Sequence, residues 1–148
     1  MDRAGTEKKN NQNEQKIRFE ITETSLAAIG ENHTRMLTHL KENGAEILLD
    51  DFGSGYSSFG MLQDYDFDIL KMDISFVRNI GVNKKSESIL RAIIDMAHQL
   101  EIRLVAEGAE TEEQVAFLRE NGCDYIQGYY YYKPMPEKEF LQLLDEGK

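Results

Sequence analysis

From Ile17 onward, apolar and polar positions follow two rhythms. Short β-branched or apolar runs stand at Ile17–Thr22, Ile47–Asp51, Ile69–Asp73, Arg103–Glu107 and Tyr125–Tyr131, each of strand length. Longer stretches of helical period separate them. In Glu87–Leu100, residues Ile89, Ile93, Met96, Ala97 and Leu100 form one apolar stripe, with Ser86 as its N-cap. Thr111 opens a second helix with Gln114 at capping-box distance, and Asn121-Gly122 closes it. Thr34–Asn43 ends in the same way at Gly44, and Glu137–Leu144 reads as a last helix. Residues 1–16 carry seven charged side chains and five Asn or Gln. They offer too little apolar surface to offset the entropy of ordering, so they are expected to be a disordered polar tail ahead of a domain over residues 17–148.

Strands alternating with helices predict βαβ units and a parallel sheet. The connections Leu40-Lys41-Glu42-Asn43-Gly44-Ala45-Glu46-Ile47 and Leu118-Arg119-Glu120-Asn121-Gly122-Cys123-Asp124-Tyr125 look like two copies of one αβ joint. No glycine-rich phosphate loop follows the first strand, which favours a (β/α) barrel over an open doubly wound sheet. A full barrel takes about 250 residues. At 148 residues the chain falls well short of that, and the choice between the two α/β architectures stays open on pattern alone.

Composition narrows the function classes. With 27 acidic against 17 basic residues the formal charge is −10, which disfavours a nucleic-acid polymer or an anionic membrane as partner. No apolar run approaches the roughly 18 residues of a membrane span, no signal-peptide block is present, and a single cysteine cannot form an internal disulfide. The expectation is a soluble, cytoplasmic protein.

The polar residues of interest fall at strand ends. Glu20 and Glu23 lie in or just after the first run, Asp50 and Asp51 end the second, and Lys71 and Asp73 punctuate the third. Glu107 and Glu110 end the fourth, and Gln127 lies in the fifth. One such acid is usually a helix cap or a solvated charge. Such acids together on one barrel rim would repel each other by roughly several kcal/mol without a counter-charge. A pair of divalent cations meets that need, and oxygen ligands without His or Cys favour Mg²⁺, Mn²⁺ or Ca²⁺ over zinc. Two such ions activate water against a phosphodiester. Lys71, inside an apolar strand, is expected to face a carboxylate. Asp50-Asp51-Phe52-Gly53 reads as a turn that also carries chemistry. Tyr129 to Tyr132 read as packing residues alternating across a strand, with one ring able to cover a base at the rim. His33, His39 and His98 read as surface or packing residues, and Cys123 as a buried apolar side chain.

Phe19-Glu20-Ile21-Thr22-Glu23, Asp50-Asp51-Phe52-Gly53-Ser54-Gly55-Tyr56-Ser57-Ser58, Leu70-Lys71-Met72-Asp73, Ala106-Glu107-Gly108-Ala109-Glu110 and Gln127-Gly128-Tyr129 with Lys133-Pro134 resemble, in order and spacing, the EAL-type cyclic di-GMP phosphodiesterases. The resemblance covers roughly residues 17–144; Ala109 stands where valine is usual and Ser54 where threonine is common. It implies a TIM-like barrel that hydrolyses cyclic di-GMP to pGpG with Mg²⁺ or Mn²⁺, and for this shorter chain an incomplete TIM-like α/β barrel of about five βα units with parallel strands and a sheet that does not close. By position it makes Glu20, Asp50, Asp51, Glu107 and Gln127 the metal-side residues. Lys71, Glu107 and Asp51 become catalytic, and Glu23 and Glu110 brace loops. The family's Glu-Ala-Leu signature and a ligand asparagine belong upstream of Glu20, where this sequence has only the polar tail. The isolated chain is therefore expected to be inactive or very weak. The alternative is a non-catalytic regulatory module that self-associates or pairs with another EAL-like chain. An unrelated metal-dependent barrel lyase finds little support, since no phosphate-binding glycine loop lies near the C-terminal strands.

Overall fold

The computed structural model describes residues 17–29, 32–55 and 58–147. The predicted tail falls outside them, as do Tyr56 and Ser57. Strands β1 (Arg18–Thr22), β2 (Glu46–Phe52), β3 (Ile69–Met72), β4 (Arg103–Glu107) and β5 (Tyr125–Gln127) form one sheet in the order β1-β2-β3-β4-β5. Every pairing is parallel, and among the described residues β1 and β5 each pair on one side only. The open α/β barrel expected from the sequence is thus observed.

The helices are α1 (Glu23–Ile29), α2 (His33–Glu42), α3 (Ser58–Asp64), α4 (Ile74–Arg78), α5 (Lys84–Gln99), α6 (Glu112–Glu120) and α7 (Glu137–Glu146). Three short ones, α1, α3 and α4, were not individually predicted, because five to seven residues carry too little period to read. Helix α5 begins one turn before the expected Ser86. The Asn83 side chain accepts hydrogen bonds from the Lys85 and Ser86 N–H groups and is the N-cap. Its buried residues are Leu90, Ile93, Ile94 and Ala97, so Ile93 and Ala97 of the expected stripe are buried and Met96 packs against the core, while Ile89 is 52% and Leu100 49% exposed. The capping box at Thr111 and Gln114 is present in full.

Side chains alternate across each strand and create two layers. On the helix side, Ile21, Ile47, Leu49, Leu70, Met72, Leu104 and Ala106 join the main core. The other face carries a small buried cluster of Leu48, Ile69 and Val105. Polar residues flank that cluster. Arg18, Glu46 and Arg103 lie towards the strand starts, while Glu20, Asp50, Lys71, Glu107 and Gln127 lie towards the strand ends.

Both copies of the αβ joint adopt one geometry. Gly44 and Gly122 have φ of 83° and 79°, and the next residue's N–H returns to the helix, from Ala45 to the Leu40 carbonyl (3.1 Å) and from Cys123 to that of Leu118 (2.9 Å). A third copy follows α5, with Glu101 at φ 57° and Ile102 N–H donating to the Ala97 carbonyl (2.9 Å).

Candidate functional site

Two local irregularities bring the acids of the rim together. Between β2 and β3 the register shifts, so that Leu49 faces Leu70 but Phe52 faces Met72. Three residues of β2 thus span two of β3, a bulge that absorbs one residue. Phe52 can then return to the core at 1% exposure while Asp50 and Asp51 both stay at the rim. Asp51 takes the left-handed conformation, φ 57°, and its N–H donates to Asp50 Oδ1 at 2.8 Å.

The second irregularity ends β5. It spans Tyr125–Gln127 alone, and residues 128–131 form a turn, which corrects the expected strand to Tyr131. Gly108 and Ala109 N–H both donate to the Gln127 carbonyl, at 2.8 and 3.2 Å, and Tyr130 N–H donates to the Ala109 carbonyl at 3.0 Å. A Cβ on Gly128 would collide with the Ala109 backbone, so glycine is required at this crossing. Tyr129 to Tyr132 therefore do not alternate across a strand. Tyr131 accepts a hydrogen bond from Arg119 (2.8 Å), and the Lys133 ammonium lies 5.7 Å from the centre of the Tyr129 ring.

Lys71 is the focus of the rim. Its Nζ lies 3.5 Å from Glu107 Oε2, 3.8 Å from Asp50 Oδ2 and 3.9 Å from Glu20 Oε2, and its side chain is 13% exposed. Burial alone would depress its pKa, but the charges of Asp50, Glu107 and Glu20 outweigh this and hold it above the usual lysine value. Lys71 is therefore a fixed cation and not a neutral base. Asp51 moves the other way from an ordinary carboxyl. Partial burial and the neighbouring charges of Asp50, Asp73 and Glu107 hold it above the usual range.

Of the expected site residues, Glu20, Asp50, Lys71 and Glu107 thus meet directly. Gln127 stands opposite Glu107 in the β4–β5 register and shares a cavity of about 230 Å³ with Glu20, Lys71 and the apolar floor of Leu48 and Val105. Glu110 is exposed beyond β4, where its backbone N–H donates to Gln114 Oε1 at 2.7 Å. Glu23 opens α1, and its side chain lies outside the described residues. Asp73 is one of the acids that the sequence places at strand ends, without an assigned role. It follows β3 at the rim, accepts from Ser75 N–H (2.9 Å) as the N-cap of α4, and adds to the charge on Asp51. Its signal was available, since it is an acid directly after a strand. A larger cavity of about 550 Å³ adjoins the rim at Glu107 and Gln127 and is lined also by Arg78, Glu110, Tyr129 and Lys133. The half-buried Cys123 thiol, away from this rim, is pushed up to about 11 by burial, which disfavours the reactive thiolate.

An all-parallel sheet with converging acids at its C-terminal strand ends defines a protein of the TIM-barrel-like class. More closely, the chain belongs to the EAL domain family, which matches residues 4–134. It is 42% identical over 129 residues to the cyclic di-GMP phosphodiesterase NbdA of Pseudomonas aeruginosa, covering 85% of this chain and 16% of that protein. The crystal structure of the EAL domain of Mycobacterium smegmatis DcpA superposes with a TM-score of 0.82 at 38% identity, over 88% of this chain and 59% of that one. Klebsiella pneumoniae BlrP1, in a manganese and cyclic di-GMP complex, gives a TM-score of 0.71 at 31% identity, over 76% of this chain and 29% of that one. The chain spans 15–32% of the length of the curated relatives it matches.

The donors of the rim suit a divalent cation, since Glu20, Asp50, Glu107 and Gln127 offer only hard oxygen ligands on the inner face. In the structure, however, Glu20, Asp50 and Glu107 converge on the Lys71 ammonium. Among the described residues, no three His, Cys, Asp or Glu side chains are gathered so as to hold an ion as they stand.

Proposed function

We propose that this chain carries the phosphodiester-facing rim of a cyclic di-GMP phosphodiesterase, and that Mg²⁺ or Mn²⁺ held by Glu20, Asp50, Asp51 and Glu107, with Gln127 beside them, supplies the activation of water. The observation that carries this reading is the meeting of Glu20, Asp50 and Glu107, from three strands, on Lys71 in a chain of the EAL family. Lys71 faces the phosphate as a permanent cation, and Gln127 orients a polar group from β5. Glu107 and Asp51 complete the catalytic side. Glu23 and Glu110 steady the loops around them. The adjoining cavity, with Tyr129, Arg78 and Lys133, is of a size to take a guanine and part of its ribose phosphate. A cytoplasmic setting is part of this proposal.

By itself the chain is expected to hydrolyse cyclic di-GMP weakly or not at all. The five strands among the described residues leave the rim open to water, which screens its charges and loosens the ligand geometry that two-metal chemistry requires. The test is incubation of the purified chain with cyclic di-GMP and Mn²⁺, following pGpG, beside a full-length relative such as the cyclic di-GMP phosphodiesterase NbdA. Turnover comparable to the relative would refute weak activity; loss of binding and turnover alike would refute the site itself.

A second reading rests on different residues. The sides of β1 and β5 that pair with no strand among the described residues, together with Phe140, Leu141 and Leu144 exposed on α7, suit a non-catalytic module that self-associates or pairs with another EAL-like chain. Sedimentation of a stable monomer with no affinity for such a chain would remove it.

A further inference from the structure

We propose that Gln114, on the first turn of α6, is a positioning residue for Gln127. It fixes the plane of the peptide that joins Ala109 to Glu110, and that peptide in turn holds the end of β5 at the rim. This rests on the reading of the rim given above and adds to it a residue that lines neither rim cavity.

Among the described residues, Gln114 is the one polar residue that is buried, at 9% exposure. Such a group stays buried where hydrogen bonds replace those to water. Its Oε1 accepts from the Glu110 N–H at 2.7 Å and from the Thr111 N–H at 3.1 Å, so two consecutive residues fix that one oxygen. The Thr111 bond belongs to the capping box of α6. The Glu110 bond lies outside the box and is the shorter of the two. A peptide unit is planar and trans, so its N–H and C=O point in opposite directions. With the Glu110 N–H held by Gln114, the Ala109 carbonyl of the same unit is aimed the other way, where it accepts from the Tyr130 N–H at 3.0 Å. Ala109 itself is buried, and its N–H joins that of Gly108 on the Gln127 carbonyl, at 3.2 and 2.8 Å. Bonds on both sides of Gly128 thus fix the backbone that carries Gln127 opposite Glu107 in the β4–β5 register. Hydrogen bonds linked in this way polarise one another, so loss of the first weakens the next. A helix cap alone has no use for the Glu110 bond, which is what makes Gln114 more than the start of α6.

The test is amide hydrogen exchange, read residue by residue by NMR, in the wild-type chain, Gln114→Met and Gln114→Glu. Methionine keeps the side chain's length and helix preference and removes the acceptor, whereas glutamate keeps the acceptor. The Gly108, Ala109 and Tyr130 amides are expected to exchange about tenfold faster in Gln114→Met, and to return to within about twofold of the wild type in Gln114→Glu. Acceleration confined to residues 110–115 would show that Gln114 only starts α6, and equal acceleration throughout the sheet would show a general loss of stability. Either result overturns the proposal, as does a failure of Gln114→Glu to restore protection. A double-mutant cycle carries the same claim to the ligand. In calorimetry of the folded proteins, Gln114→Met is expected to weaken cyclic di-GMP binding several-fold, and to add nothing in a chain that already carries Gln127→Ala. Full additivity of the two substitutions would overturn the positioning role. A wild-type chain with no affinity for cyclic di-GMP would bring down the reading of the rim instead, and the exchange pattern still decides whether Gln114 holds Gln127.

Discussion

Arg103 on β4 reaches past the intervening strand β3 to hold Glu46 on β2, with Nη2 2.6 Å from Oε1. Arg18 on β1 takes the other carboxylate oxygen at 3.2 Å, so one acid ties three of the five strands together at the end opposite the rim. Hydrogen bonds from Arg103, and then from Arg18, hold the Glu46 carboxyl below the usual range against the opposing effect of burial. Glu46→Gln is expected to cost about 1 kcal/mol, discounted because both guanidinium groups are more than a third exposed. A depressed carboxyl stabilises above its unfolded value near 4.5, and that contribution disappears as pH falls through the lower folded value. Urea titrations of the two proteins should therefore differ at pH 7 and converge below pH 4.5. A difference that persists undiminished at low pH would contradict the charge-based account.

Gly128 places Gln127 through its close crossing with the Ala109 backbone. Backbone cannot yield as a flexible side chain can, so Gly128→Ala is expected to destabilise by about 1–3 kcal/mol. It should also displace Gln127 from the rim. Thermal melts report the first effect, and a loss of ligand affinity larger than the fraction unfolded reports the second.

Glu101 occupies the left-handed position that Gly44 and Gly122 fill in the other two αβ joints. Glu101→Gly relieves the Cβ clash there, and part of the gain is returned as backbone entropy of the unfolded chain. A net stabilisation of about 0.5–1 kcal/mol is expected in chemical denaturation. Destabilisation would mean that the Glu101 side chain makes a contribution beyond its backbone conformation.

Cys123 has its thiol value raised to about 11 by burial, and its Sγ lies 3.3 Å from the Tyr125 carbonyl. At pH 8 only roughly one thiol in a thousand is then ionised. Alkylation by iodoacetamide at pH 8 should be far slower in the native chain than in the denatured one, where a free thiol titrates near 8.5. Equal rates would show that the thiol is neither buried nor suppressed.

The chain's own order of residues already carried the alternation of strands and helices, the parallel sheet, the two glycine-closed joints, the capping box at Thr111 and the acids at strand ends. These features depend on neighbours three or four positions apart, and local patterns record such neighbours. The period of α5 located Ile93 and Ala97 on the buried face, but two overlapping stripes were available and the sheet beneath selected Leu90 and Ile94 instead of Ile89 and Leu100. The bulge in β2, the early end of β5 at the Gly128 crossing, and the reach of Arg103 over β3 were equally hidden. Each is a contact between segments distant along the chain. Likewise, sequence marked Lys71 as a cation in need of an acid, but only the folding of three strands around it made Glu20, Asp50 and Glu107 its partners. Charge and period are properties of the local chain, whereas the point at which charges converge is decided by strand register and sheet curvature.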